Sequence, residues 1–458
     1  MNPYQELFDR QKRLFATGTT RSYEWRIEQL DRMARMVGEN EVALQHAICR
    51  DFKTANQEQI FETMACLGEV AFQKSQIKDW MAPVEAPVPR ALAATGHHGV
   101  IYRDPYGVAL IIGPFNGPLL LLLRPAIALA AGNCCVLKLS NAIHATSSML
   151  FELVAKYFEP GAVTAVLGGR EETTDVLKLP FDFIFFTGST HVGKVVARAA
   201  AENLTPTLLE LGGQNPALVD ETANIPDAAK KIVWGKMAWG GQWCTSPGYA
   251  YVHESVVDTF VAEAKASLIA LYGNEPKTNP DYSWIISAHE VTRLADLIDP
   301  AKVIIGGQSD PETRYLDPTI VYPVAWEDKI MEDEVFGPIL PILTYRTLDE
   351  ALGRISSTPH PLAAFIFSRK QSAIDQFIGE LSFGGGAVNQ VNIHLFVESM
   401  PFGGVGPAGM GHYHGKYGFD MLTHAKSMFI SPPDVAIDHL FPPYSAEKNA
   451  ELKIWFEY

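Results

Sequence analysis

The chain has 458 residues, a length that predicts about two to three domains. Its hydrophobic content of 47% and charged content of 19% describe a soluble globular protein with a large core. With 52 acidic against 37 basic side chains the net charge is −15, which disfavours nucleic acid and anionic membrane surfaces as partners.

The start, Met1-Asn2-Pro3-Tyr4-Gln5-Glu6, lacks a basic segment followed by an apolar core, so no signal peptide is expected. Residues 118–131 form the most apolar stretch, but they carry Arg124 and Pro125 and fall short of the ~20 residues a membrane span requires. Five cysteines, an odd number without CxxC spacing, suit a reducing compartment, and the expected location is cytoplasmic.

In chain order, residues 6–82 read as scaffold helices: Leu30, Met33, Met36 and Val37 share one helical face, a second helix runs through Ala43 and Ile48, and a third through Met64, Leu67 and Val70. Residues 83–106 hold Pro87, Pro89, His97 and Gly99 and read as an irregular arm ending in a strand, of a kind that makes subunit contacts. Short apolar strands then alternate with helices. Strands are expected at 108–112, 135–139, 162–167, 183–186 and 217–219, with helices from Pro118, Ala145 and Val192. Such alternation means a parallel sheet with helices on both faces. A second alternating set covers 225–392, with strands at 250–252, 303–305, 342–345, 364–367 and 387–389, and a Pro-rich, then charged tail follows Pro432.

The chemistry centres on Gly240-Gly241-Gln242-Trp243-Cys244-Thr245, with Glu210 of Glu210-Leu211-Gly212-Gly213 and Asn116 of Pro114-Phe115-Asn116 upstream. A thiol, a carboxylate and an amide donor form an acyl-transfer set. A cysteine thiolate can add to an aldehyde carbonyl, dividing an oxidation into addition, hydride loss and thioester hydrolysis. Asn116, with the Cys244 backbone N–H, suits the charge on the carbonyl oxygen. Glu210, partly desolvated beside a glycine pair, suits activation of the hydrolytic water. Free cysteines are commonly core fillers. Cys49, Cys66, Cys134 and Cys135, in helical or strand patterns, read that way, whereas the neighbours of Cys244 are not core formers.

Two glycine signals compete for a dinucleotide. Gly404-Val405-Gly406-Pro407-Ala408-Gly409 matches GxGxxG but follows no strand, and Pro407 stands where a helix would begin, so it reads as a glycine-rich loop. Phe186-Thr187-Gly188-Ser189-Thr190 follows a buried strand and opens a helix with Ser189 as N-cap, presenting N–H groups suited to pyrophosphate, although a generic strand-to-helix turn would look similar. Lys138, closing another strand, is either a ribose ligand or a solvated lysine. His97-His98 and His412-Tyr413-His414 lack the further ligands of a metal site, and no metal is expected.

Together these segments, with Glu334-Val335-Phe336-Gly337-Pro338 and Pro401-Phe402-Gly403-Gly404, resemble the aldehyde dehydrogenase superfamily from about residue 5 to about 430. The late run Gly409-Met410-Gly411-His412-Tyr413-His414-Gly415-Lys416 resembles its class 3 branch. The resemblance implies an α/β fold of two doubly wound, Rossmann-like parallel-sheet domains plus a small oligomerisation arm, and a homodimer. Residues 1–82 and 107–210 would form the cofactor-binding domain, 211–400 the catalytic domain, and 83–106 with 401–458 the arm and tail. It further implies Cys244 as nucleophile, Glu210 as general base, Asn116 as oxyanion donor, Lys138 at the adenosine ribose, Gly188 and Ser189 at the pyrophosphate, Glu334 at the nicotinamide ribose and Phe336 beside the nicotinamide.

Three departures from the family pattern carry expectations. Asn141 stands where a glutamate is common, and a neutral amide neither grips a 2′-hydroxyl as a carboxylate does nor repels a 2′-phosphate, so NADP is expected to serve alongside NAD. Gly117 replaces a common aromatic; with Leu120, Leu123, Trp239 and Trp243 as apolar walls, it implies a wide pocket for aromatic or longer aliphatic aldehydes. Gln214 replaces a common lysine. Rival readings are a phosphorylating or CoA-acylating relative, a catalytically silent structural member such as a lens protein, and a cysteine hydrolase, which needs a histidine partner. The terminal Trp455-Phe456 segment either caps a substrate tunnel or docks on a neighbour.

Overall fold

The computed structural model describes residues 2–123 and 126–455, without the Leu123 side chain. Expectations resting on Leu123, Arg124, Pro125 and Phe456 therefore lie outside the described residues. In chain order the strands are β1 (Val84–Ala86), β2 (His98–Pro105), β3 (Val108–Ile112), β4 (Cys134–Lys138), β5 (Val163–Val166), β6 (Phe183–Thr187), β7 (Thr207–Glu210), β8 (Asn215–Val219) and β9 (Pro247–His253). There follow β10 (Val303–Ile305), β11 (Ser309–Asp310), β12 (Tyr315–Leu316), β13 (Thr319–Val321), β14 (Ile339–Tyr345), β15 (Ala363–Phe367), β16 (Gly385–Val388), β17 (Gly409–Met410) and β18 (Thr423–Ile430).

Two parallel sheets organise the chain. One has the order β17-β7-β6-β3-β4-β5 and the other β10-β13-β14-β9-β8-β15-β16, each with a single antiparallel strand at one edge. Strands β3, β4 and β6 are buried along their whole length, the continuous apolar reading that a sheet covered on both faces requires. Residues 217–219, which the sequence runs together with the first set of strands, belong to β8 in the second sheet, flanked by β9 and β15. The turn at Gly212-Gly213 carries the chain across, and three residues at that crossing give no periodicity from which to place the break.

The expected helix from Pro118 is a single wide turn, Pro118–Leu123, with a short helix at Ile127–Ala130 beyond it. Ser189 caps the helix Thr190–Ala201 by accepting from the Val192 N–H. The helix Asn56–Trp80 buries a stripe at Glu62, Cys66, Glu69 and Gln73, helical spacing with polar side chains where apolar ones are the rule. Strands β1, β2 and β18 form a separate antiparallel sheet joining residues 84–105 to 423–430. Among the described residues no helix is long and apolar enough to cross a membrane.

Candidate active site

Strand order in the first sheet reverses at β3, which has β4 and β5 on one side and β6 and β7 on the other. Ligands of open parallel sheets gather outside the carboxyl ends of the strands at such a reversal. The segment after β3 carries Asn116 and the segment after β6 carries Gly188 and Ser189, so the two lie at the crevice that topology opens. Lys138 closes β4, and Asn141 follows it.

Cys244 is nearly buried, in the turn that leads into β9. Its backbone is pinned from below: Asn215 Nδ2 donates to the Cys244 and Ser246 carbonyls at 2.8 and 2.9 Å, while Asn215 Oδ1 accepts from Ala363 N at 2.8 Å. Asn116 Nδ2 donates to the Gln242 carbonyl at 2.9 Å, two residues from the thiol. An amide nitrogen has two hydrogens, so this bond fixes the group while leaving one N–H to point elsewhere. The turn needs Trp239, Gly240 and Gly241 at positive φ, and a Cβ on Gly241 would run into the backbone of Gly337 and Pro338. That close approach draws the Glu334–Pro338 segment against the cysteine turn.

Glu210 ends β7 and is fully buried, and among the described residues neither carboxyl oxygen has a hydrogen-bond partner. Burial pushes its pKa well above the carboxylate range. The Cys244 thiol is likewise pushed up, first by burial and then by Glu210 and Glu334, while N–H groups of Cys244 and Thr245 act in the opposite sense. Both carboxyls thus act on the thiol, Glu210 from a fully buried position and Glu334 from a half-buried one. Glu334 lies over Gly212, where any Cβ would overlap its carboxyl. Burial raises Glu334 to about 8, against the pull of Lys236, itself pushed down to about 7 by burial. Gln214, the departure from lysine, donates to the Met331 and Asp333 carbonyls at 2.9 and 2.6 Å and so anchors the segment leading to Glu334.

Phe336, at φ +45°, packs edge-on against Phe115 with ring centroids 6.0 Å apart, placing it beside the Asn116 segment. The rejected glycine run has a structural use. Its end forms β17, whose Gly409 pairs with Glu210, and Leu211 N donates to Ala408 O at 3.0 Å, so the loop closes over the buried carboxyl.

The residues present fit a dinucleotide. The Lys138 ammonium, lowered in pKa by burial, donates to the Leu139 and Gly168 carbonyls at 2.8 and 2.6 Å and keeps one of its three donors. The helix opening at Thr190 presents its N-terminus beside Gly188. Asn141 lies against Gly169, its Nδ2 3.3 Å from where a Cβ there would stand. Among the described residues no group of three His, Cys, Asp or Glu side chains is arranged to hold a metal.

Leu120, Trp239 and Trp243 come together with Leu121 and Ala238 in one buried apolar cluster, the two indoles 4.2 Å apart between ring centroids. Leu121 Cγ stands 3.2 Å from where a Gly117 Cβ would lie, so the next turn supplies part of the bulk missing at Gly117. Sequence reading missed Lys53, Glu58 and Glu62 beneath this cluster, and Asn215 beneath Cys244. No local signal was available: the sequence reads that helix through Met64, Leu67 and Val70, whereas Met64 is exposed and the buried stripe is largely polar.

Against known proteins, the profile described as "Aldehyde dehydrogenase family" matches residues 5–428. The chain is 39% identical over 461 residues to the 4,4′-diaponeurosporen-aldehyde dehydrogenase of Staphylococcus aureus, covering 100% of both chains. It is 36% identical to the dimeric NADP-preferring aldehyde dehydrogenase of Canis lupus familiaris over 98% of this chain and 99% of that one. The solved structure of substrate-bound Staphylococcus aureus AldH superposes with a TM-score of 0.97 at 38% identity over 100% of each chain.

Proposed function

The chain belongs to the aldehyde dehydrogenase family and is an oxidoreductase of aldehydes; from that premise we propose that it forms the carboxylic acid through a thioester on Cys244. The observation that carries this reading is the partnerless Glu210 carboxyl, buried within electrostatic reach of the Cys244 thiol.

Cys244 Sγ adds to the aldehyde carbon, and the negative charge that grows on the oxygen is met by the Asn116 amide and the Cys244 backbone N–H. Burial favours the protonated thiol, so its proton is released to solvent before addition, and the Cys244 and Thr245 N–H groups favour the thiolate left behind. A nicotinamide dinucleotide, when bound, supplies the hydride acceptor. Glu210 then takes a proton from the water that cleaves the thioester. Lys138 and the residues from Gly188 to Ser189 would hold the ribose and pyrophosphate ends of the dinucleotide, and Glu334 and Phe336 its nicotinamide end.

NADP serves alongside NAD in this reading, because Asn141 offers an uncharged amide at the strand end. The indole and leucine cluster favours aromatic or longer aliphatic aldehydes, in keeping with the name of the Staphylococcus aureus relative. A homodimer is supported by β18, an edge strand exposing Met428, Phe429 and Ile430, and by the canine relative, an enzyme described as dimeric. A panel of acetaldehyde, hexanal and benzaldehyde assayed with both cofactors, with and without CoA, tests the proposal. NAD(P)H and free acid are the expected products, and an acyl-CoA or an acid released without NAD(P)H would overturn it.

A further inference from the structure

The turn Pro118–Leu123 starts two residues after Asn116, and its first amides have no partner within the turn. Leu119 N and Leu120 N both donate to Glu62 Oε2, each at 3.2 Å. The other oxygen, Oε1, is paired with the Lys53 ammonium, and both side chains are fully buried. Lys53 Nζ lies 3.2 Å from the ring centroid of Trp239, the indole that packs on Trp243 next to Cys244. A second carboxylate from the same helix, Glu58, accepts from Trp239 N at 2.7 Å and from Ser283 Oγ at 2.6 Å, holding that backbone at φ +56°.

We propose that Glu62 is a positioning residue for the aldehyde site, one carboxylate oxygen holding the turn that follows Asn116 and the other, through Lys53, holding the Trp239 wall. The inference rests on Cys244 and Asn116 being the reacting nucleophile and oxyanion donor. A buried ion pair is a poor source of stability, since an apolar pair of equal volume does as well. What this pair supplies is direction. It ties the two segments that carry the amide and the thiol to a single helix, and small displacements of reacting groups are costly in rate.

Four proteins test this: wild type, Glu62→Ala, Glu62→Gln and Lys53→Met, each checked for folding by circular dichroism and assayed with acetaldehyde and hexanal. Glu62→Ala is expected to lower kcat at least tenfold for both aldehydes. Glu62→Gln, whose amide oxygen still accepts from both N–H groups, is expected to recover most of kcat while its KM for hexanal stays raised. Lys53→Met is expected to raise the hexanal KM at least threefold with a smaller change in kcat. A folded Glu62→Ala within twofold of wild-type kcat, a Glu62→Gln no better than Glu62→Ala, or a Lys53→Met that shifts both aldehydes equally would overturn it. If Glu62→Ala does not fold, the other two variants decide. Wild type that forms no NAD(P)H from any aldehyde defeats the underlying reading, whereas variants matching an active wild type defeat the positioning role alone.

Discussion

Asn116 is locked to the Gln242 carbonyl by a 2.9 Å hydrogen bond, so the proposed oxyanion donor is oriented by the same turn that presents Cys244. Asn116→Ala should therefore lose the donor without freeing the cysteine turn, whose carbonyl is held separately by Asn215. A fall in kcat of about 10²–10³ is expected, the usual cost of one oxyanion donor. Steady-state rates with benzaldehyde check it; a change of less than threefold in a folded protein would rule the role out.

Glu210→Gln should separate the two halves of the reaction. Acyl-enzyme formation, which does not draw on Glu210, gives a burst of NAD(P)H, followed by turnover lowered by about 10²–10⁴ as thioester hydrolysis loses its base. Stopped-flow absorbance reads both phases, and steady turnover equal to wild type would assign the base elsewhere.

The same substitution has a consequence for stability. Burial raises the Glu210 carboxyl in the native state, whereas in the unfolded chain it titrates at about 4.3. Above that value the native state binds the extra proton, so wild-type stability is lost as pH climbs. Glu210→Gln should be more stable than wild type at pH 8 and no different at pH 4. Urea unfolding at the two pH values tests this, and an advantage confined to low pH would contradict the burial of an uncompensated carboxyl.

Asn141→Glu places a carboxylate one short turn beyond Lys138. It should favour the ribose 2′-hydroxyl and repel a 2′-phosphate. The kcat/KM for NADP is expected to fall at least tenfold relative to that for NAD. An unchanged ratio would mean that the 2′ position lies elsewhere.

Met428→Glu puts a charge on the exposed edge strand of the β1-β2-β18 sheet. If two copies meet along that edge, light scattering should show the dimer weakened toward monomer while circular dichroism is unchanged. A wild type already monomeric would remove the dimer from the proposal.

The sequence by itself determined the α/β class, the strands β3, β4 and β6 and the Ser189 cap, and it singled out Cys244, Glu210 and Asn116 as the candidate set. These are local signals, carried by apolar runs, capping residues and short motifs. It did not place 217–219 in the second sheet, because strand pairing between distant segments leaves no mark in either segment alone. Nor did it show that the glycine run at 404–409 pairs with Glu210, or that Gly212 and Gly241 are glycines because Glu334 and Gly337 press against them. Lys53 and Glu62 were silent for the same reason. A buried ion pair is defined by its partners and by the water it excludes, and only the folded chain decides both.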